Sequence, residues 1–178
     1  LLPWDGDSYG NSRLRWRHRS DRLLMQRAGE ALQSVTAENP FLSLGYYGSA
    51  NDLLVLSDSA AEKRIRERDG FVPSERPWYT KVKKQGQVVW SDPYVDANSE
   101  ELVVTCAAPV TGEGGDLLGV VGFDVQLKTI ERDMLGMDIG YSNYAFLVNR
   151  EGKVLVNPGT VVGSESWSDR FETDNLLK

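Results

Sequence analysis

The chain holds one histidine and one cysteine in 178 residues. A lone cysteine, Cys106, cannot build an internal disulfide framework, and a lone histidine, His18, excludes a His-rich zinc site. A catalytic thiol paired with imidazole is disfavoured as well. His18 lies in an arginine-rich segment far from Cys106, whose apolar surroundings, "LVVTCAAPV", predict a buried, inert thiol. Positive charge is short overall. Lysine and arginine total 20 against 26 acidic residues, a net charge of −6, which argues against a nucleic-acid binder. Arg13, Arg15, Arg17, Arg19 and Arg22 do cluster, so residues 1–38 carry +1 and the remainder −7. No run approaches the ~20 apolar residues of a membrane span, and no signal peptide is visible. The opening on Leu1 rather than methionine reads as a piece of a longer protein, so a missing span says little about its parent.

Hydrophobic residues make up 40% of the chain and charged residues 26%, ordinary values for a folded domain. The length suffices for one core and part of a second. Ser12 to Asn39 reads as one long helix, with Leu24, Ala28, Ala31 and Val35 as an apolar stripe widened by Met25 and Leu32. Asn39-Pro40 stops it. Such a helix is either a spine or dimer seam, or an amphipathic cover on its own domain. "FLSLGYYG" and "DLLVLSD" read as a hairpin, "SAAEKRIRERDG" as a short polar helix or loop, and "WYTKVKKQG" as a helical turn ending at Gly86. Three strands follow, "QVVWSDPYVD", "ELVVTCAAPVT" and "LLGVVGFDVQL", the last two joined by a glycine-rich turn, "GEGGD". "KTIERDMLGM" reads as a connecting helix and "YAFLVNREGKVLVNP" as a closing hairpin.

This order predicts an α+β fold with a central antiparallel sheet, flanking helices and a long N-terminal helix, in the PAS-like layout. The expected parts are a helix over 1–39, a PAS-like module over 40–127, a connecting helix over 128–140 and an incomplete second module over 141–178.

Between the hairpin and the three strands lies "GFVPSERPWY", an aromatic stretch punctuated by two prolines. Taken in series with "VVWSDPYVD", "LVVTCAAPV" and "GGDLLGVVGFDVQL", it resembles the membrane-distal module of double-Cache sensor domains. "YAFLVNREGKVLVNP" resembles the opening of their membrane-proximal module, and the likeness runs from about Phe41 to Pro158. It implies an extracytoplasmic ligand-binding domain of an inner-membrane receptor (a chemoreceptor, a histidine kinase or a cyclic-dinucleotide enzyme). It also implies a small-molecule ligand, no cofactor, no metal and no catalysis. A homodimer through the N-terminal helix is open.

A subset of that family binds free amino acids and carries an aromatic five residues before an arginine, then tryptophan and tyrosine two and three after it. A later tyrosine and a strand-end aspartate complete the pattern. By that resemblance the ligand residues here are Arg76, Trp78, Tyr79, Tyr94 and Asp124, with Asp96 as a second acid. The position five before the arginine is Phe71 rather than tyrosine, a departure that removes one hydroxyl.

Those residue types suit a zwitterion. Arg76 offers a fork of donors and Trp78 an indole N–H to a carboxylate, and Asp124 and Asp96 accept from an ammonium, helped by Tyr79 or Tyr94. Tyr94 and Asp96, two apart, share a strand face. Gly122, on the face of Asp124, is expected to leave room beside the sheet. Each residue also has a structural reading: Arg76 stacked on Trp78, Asp124 capping the following helix, Asp92-Pro93 a plain turn. Three other functions stand beside an amino-acid sensor. They are a sensor for an organic acid, amine or purine, a hydrolase with Asp96 and Asp124 as paired acids, and a ligand-free dimerisation module. The hydrolase lacks a nucleophile, and "GEGGD" lacks the lysine and helix of a phosphate loop.

Overall fold

The structure is a computed structural model that describes residues 19–68, 70–135, 145, 147–149, 154–157 and 160–161. Arg13, Arg15, Arg17, His18 and the expected helix before Arg19 lie outside those residues. The chain divides into two compact units, residues 1–125 and 126–178.

In the first unit, helix α1 (Arg19–Glu38) is followed by strands β1 (Leu44–Ser49) and β2 (Leu54–Leu56). Helix α2 (Ser59–Arg66), a 3-10 turn (Pro73–Glu75) and helix α3 (Pro77–Gln85) come next. Strands β3 (Val89–Trp90), β4 (Tyr94–Val95), β5 (Leu102–Thr111) and β6 (Leu117–Gln126) complete the sheet. Its order is β2-β1-β6-β5-β3, with β4 also on β5. This is the antiparallel PAS-like sheet that the sequence predicts.

Local chemistry accounts for the elements. Asp58 caps α2 by accepting from the Ala60 N–H at 2.8 Å. Pro77 occupies the first turn of α3, where a missing N–H costs nothing, and Gly86 ends the helix at φ +66°. In "GEGGD" the Gly112 N–H bonds the Asp116 carbonyl at 2.9 Å while Gly115 takes φ +84°.

The strand expected over "QVVWSDPYVD" is two strands. Trp90 pairs with Cys106 and Tyr94 with Val103, so four steps along one strand oppose three along the other. One residue is therefore extra, a β-bulge at Ser91–Pro93. The Ser91 side chain accepts from the Thr105 N–H at 2.9 Å and keeps the ladder joined there. The bulge has a directional consequence. Strict alternation from Val89 would turn Tyr94 to the opposite face; the extra residue returns it to the face of Val103 and Thr105.

Each face of the sheet has its own cover. One carries Tyr47, Leu53, Val55, Val121 and Phe123 against Met25 and Leu32 of α1. The described part of α1 thus lies on its own domain. Its buried face runs through Met25, Gly29 and Leu32, whereas Ala31 and Val35 of the expected stripe are exposed. Gly29 explains the shift: a Cβ there would sit 3.1 Å from Val55, so the glycine is a contact point that an apolar pattern overlooks. The other face carries Leu44, Tyr46, Leu54, Leu56 and Val120 against Ala61 and Ile65 of α2 and Trp78, Tyr79 and Val82 of α3.

In the second unit, helix α4 (Leu127–Leu135) packs on β8 (Val154–Asn157), which pairs with β7 (Leu147–Val148) and β9 (Thr160–Val161). Among the described residues no helix is long and apolar enough to cross a membrane.

Candidate functional site

The face under α2 and α3 contains a narrow cleft with a water-accessible volume of about 20 Å³, or about 320 Å³ when its open mouth is counted. Five of the seven expected residues line it: Phe71, Arg76, Trp78, Tyr94 and Asp96.

Arg76 stands at the N-cap of α3, in extended geometry that projects its side chain away from the helix. Its guanidinium carbon lies 5.5 Å from the Phe71 ring centre and 5.6 Å from that of Tyr94. Two aromatic rings hold the cation, and among the described residues no carboxylate pairs with it. Phe71 thus supplies a ring where a hydroxyl was missing. Trp78 is buried, 4.7 Å from the Tyr46 ring and edge-on to Tyr79 at 5.5 Å. Its bulk fits because position 48 is glycine: a Cβ there would stand 2.8 Å from the indole.

Tyr79 lies behind the site. The ring is 2% exposed and does not line the cleft; it props Trp78 from the core, because helical geometry turns successive residues of α3 to different sides.

Asp96 begins the β4–β5 turn. One oxygen, Oδ2, accepts from the Ser99 N–H at 2.7 Å, the Ser99 hydroxyl at 2.9 Å and the Asn98 N–H at 3.2 Å. Half of this carboxylate is spent on the turn, while Oδ1 makes no hydrogen bond among the described residues.

Asp124 lies just below the cleft wall rather than in it, only 1% exposed. It sits opposite Leu44, and Tyr46 opposite Gly122, so Asp124 and Tyr46 share the cleft face. The expected space beside Gly122 is filled by the Tyr46 ring, which a Cβ at 122 would meet at 2.5 Å. Oδ1 of Asp124 accepts from the Tyr46 hydroxyl at 2.6 Å and from Thr105 at 2.6 Å, with the Tyr94 hydroxyl 3.4 Å away. Thr105 and Tyr94 are 2.8 Å apart. A hydroxyl has one proton, so with Thr105 donating to Asp124, Tyr94 donates to Thr105. The second oxygen, Oδ2, is buried and unpartnered among the described residues.

Burial pushes the Asp124 carboxyl up to about 7, against the hydrogen bonds from Thr105 and Tyr46, which pull it down. Burial, with the Asp124 charge behind it, raises both the Tyr46 and Tyr94 phenols. Tyr94 is the bridge: its ring faces the guanidinium and its hydroxyl reaches toward the carboxylate. Tyr46 and Thr105 are the functional candidates the sequence did not reveal. The available signal was parity, since Leu44, Tyr46 and Gly48 alternate onto the face of Asp124.

Cys106, expected to be buried, is half-buried opposite the exposed Trp90, its thiol pushed up by burial. Among the described residues no group of three His, Cys, Asp or Glu side chains could hold a metal ion.

A PAS-like sheet with a cleft of this composition defines a ligand-sensing module. The model of the methyl-accepting chemotaxis protein-like, first PDC sensor domain family matches residues 25–132, and the chain belongs to that family. The chain is 40% identical over 101 residues to the methyl-accepting chemotaxis protein PctB of Pseudomonas aeruginosa, covering 57% of this chain and 16% of that protein. The chain thus spans about a sixth of the length of that relative. Among solved structures, the ligand-binding domain of PctB in complex with L-Gln matches at TM-score 0.65 and 27% identity, over 88% of this chain and 67% of that one. The ligand-binding domain of Pseudomonas fluorescens chemoreceptor CtaA in complex with L-isoleucine matches at TM-score 0.64 and 26% identity, over 88% and 68%.

Proposed function

We propose that the cleft binds a free L-amino acid and that the chain is the extracytoplasmic sensor of an inner-membrane chemoreceptor. The observation that carries this reading is a pair of unmet charges on one face of the sheet. Arg76 has no carboxylate among the described residues, and Asp124 keeps a buried oxygen with no donor. Burying the Asp124 charge alone is costly; a zwitterion answers both. Its carboxylate meets Arg76 and the Trp78 indole, and its ammonium meets the Tyr94 oxygen and Asp96 Oδ1, drawn by the Asp124 charge just below the wall. Tyr79 acts through Trp78. The relatives solved with L-Gln and L-isoleucine support the ligand class.

The parent receptor reads out the binding as a shift in α1, whose outward face, with Ala31 and Val35, meets a second copy. Residues 141–178 belong to a second sensor module.

A thermal-shift screen of the twenty amino acids tests the reading. A ligand at 100 times its Kd adds ~2.7 kcal/mol of stability. Arg76→Ala is expected to weaken the best ligand on the order of 100-fold with the melting temperature of the free domain unchanged. An amine lacking a carboxylate that binds as tightly as its parent amino acid would refute the reading.

A further inference from the structure

With Arg76 assigned to the carboxylate and Asp124 and Asp96 to the ammonium, what remains of the cleft wall is almost wholly apolar. Leu44 on β1, Leu54 and Leu56 on β2, and Ile65 on α2 line the cleft and are each 3–7% exposed. Register makes them one strip. Leu56 lies opposite Tyr46 and Leu54 opposite Gly48, so both leucines of β2 face the same side as Leu44. The remaining polar liner, Asn98, has its carbonyl oxygen occupied by the Arg64 Nε–H at 2.7 Å.

Arg64 reaches Asn98, and Arg68 donates to the Ala97 carbonyl at 2.5 Å, so two side chains from the α2 end bind the β4–β5 turn. A ligand side chain directed at this strip would meet branched aliphatics and no charge among the lining residues. An acidic or basic side chain there would lose its hydration without a counter-ion.

The geometry points to an amino acid with an aliphatic side chain (leucine, isoleucine, valine or methionine) seated against Leu44, Leu54, Leu56 and Ile65. This rests on the amino-acid reading of the site. The cation-ring pair and the buried acid recognise what all amino acids share, and the leucine strip selects among them by apolar area.

Calorimetric titration of the 178-residue chain with L-leucine, L-isoleucine, glycine, L-glutamate and L-arginine tests it. L-leucine and L-isoleucine are expected to bind on the order of 10- to 100-fold tighter than glycine, and tighter than the two charged ligands. Glycine equal to leucine overturns the aliphatic assignment while leaving the amino-acid site intact. L-arginine or L-glutamate as the tightest ligand does the same, arginine pointing to Asp96 as a side-chain partner. Absence of binding by all five, with no thermal shift from any of the twenty, overturns both. Leu56→Ala is expected to cost L-leucine about 10-fold and glycine nothing; equal losses would mean the residue supports only the fold. Ile65→Val, milder for folding, should cost L-leucine roughly threefold with glycine constant, and no difference between the two ligands counts against the proposal.

Discussion

On the face covered by α1, Met25 and Leu32 meet Tyr47, Leu53, Val55, Val121 and Phe123, and the Tyr47 hydroxyl donates to the Leu118 carbonyl at 3.0 Å. On the face covered by α2 and α3, the same strands carry a buried acid with one unpartnered oxygen and a ring-held guanidinium without a carboxylate. Both faces use a strand glycine to admit an aromatic ring. Gly45 makes room for Phe123, and Gly122 for Tyr46. The difference is in polar completion. A polar group left unpaired in a dry interior costs more than a satisfied one contributes, so the α1 face is a finished core, whereas the cleft face is the one the proposed ligand would complete. Stability and binding should therefore respond differently to changes on the two faces.

The largest separation is expected from Asp124. Its carboxyl is raised to about 7 in the folded domain, mainly by burial. The folded state then holds this proton more tightly than the unfolded chain, with its ordinary carboxyl near 3.8. The group's stabilising contribution is complete below that lower value and disappears as pH rises through 7. Melting of the free domain should thus weaken between pH 4 and pH 8, by up to about 4 kcal/mol from this group, and Asp124→Asn should flatten that part of the profile. Ligand affinity should move the other way. An ammonium needs the ionised acid, so affinity should fall about tenfold per pH unit below 7. Parallel pH profiles for the parent and Asp124→Asn, in both melting and titration, would remove the buried charge from the site.

A smaller effect distinguishes the glycines. A Cβ at Gly122 would lie 2.5 Å from the Tyr46 ring, and one at Gly45 would lie 2.8 Å from Phe123. Each alanine substitution is expected to cost ~1–3 kcal/mol in urea unfolding. Gly122→Ala should also displace Tyr46 from Asp124 and weaken L-leucine, whereas Gly45→Ala should leave titration of the folded protein unchanged. Equal losses of affinity would mean that the faces are not separable.

The same division governs what could be read from sequence. The hairpin, α3 with its Gly86 stop and the long β5–β6 pair carry signals within a few residues: alternation, Pro at a first turn, glycine at positive φ. Arg76 and Trp78 were legible because one short stretch holds both. Tyr46, Thr105 and Asp124 meet across sequence separations of 19 to 78, and nothing near Tyr46 or Thr105 distinguishes either from an ordinary strand residue. The sequence around Ser91–Pro93 predicts an uninterrupted strand and gives no sign of the bulge. Tyr94 and Asp96 still share a face, since parity holds after the bulge, but which face depends on the extra residue. Gly29 hid the buried line of α1 because a close backbone approach leaves no apolar mark.

The smallest expected effect probes the hydroxyl relay on the cleft face. Thr105 is wholly buried, donates to Asp124 at 2.6 Å and stands 2.8 Å from the Tyr94 hydroxyl. Thr105→Val keeps the shape and removes this middle hydroxyl, leaving Tyr46 as the one strong donor to Asp124 Oδ1. Tyr94 then loses its nearest acceptor and keeps only Asp124 Oδ1 at 3.4 Å and Tyr46 at 3.3 Å, a poorer anchor for the oxygen that faces the ammonium. Affinity for L-leucine should fall roughly fivefold, about the worth of one hydrogen bond. The fall should nearly vanish in an Asp124→Asn background, because the relay then has no charge to orient it. A double-mutant cycle measures that coupling. Additive losses would make Thr105 a packing residue, and would leave Asp124 to act on the ligand without the hydroxyls between them.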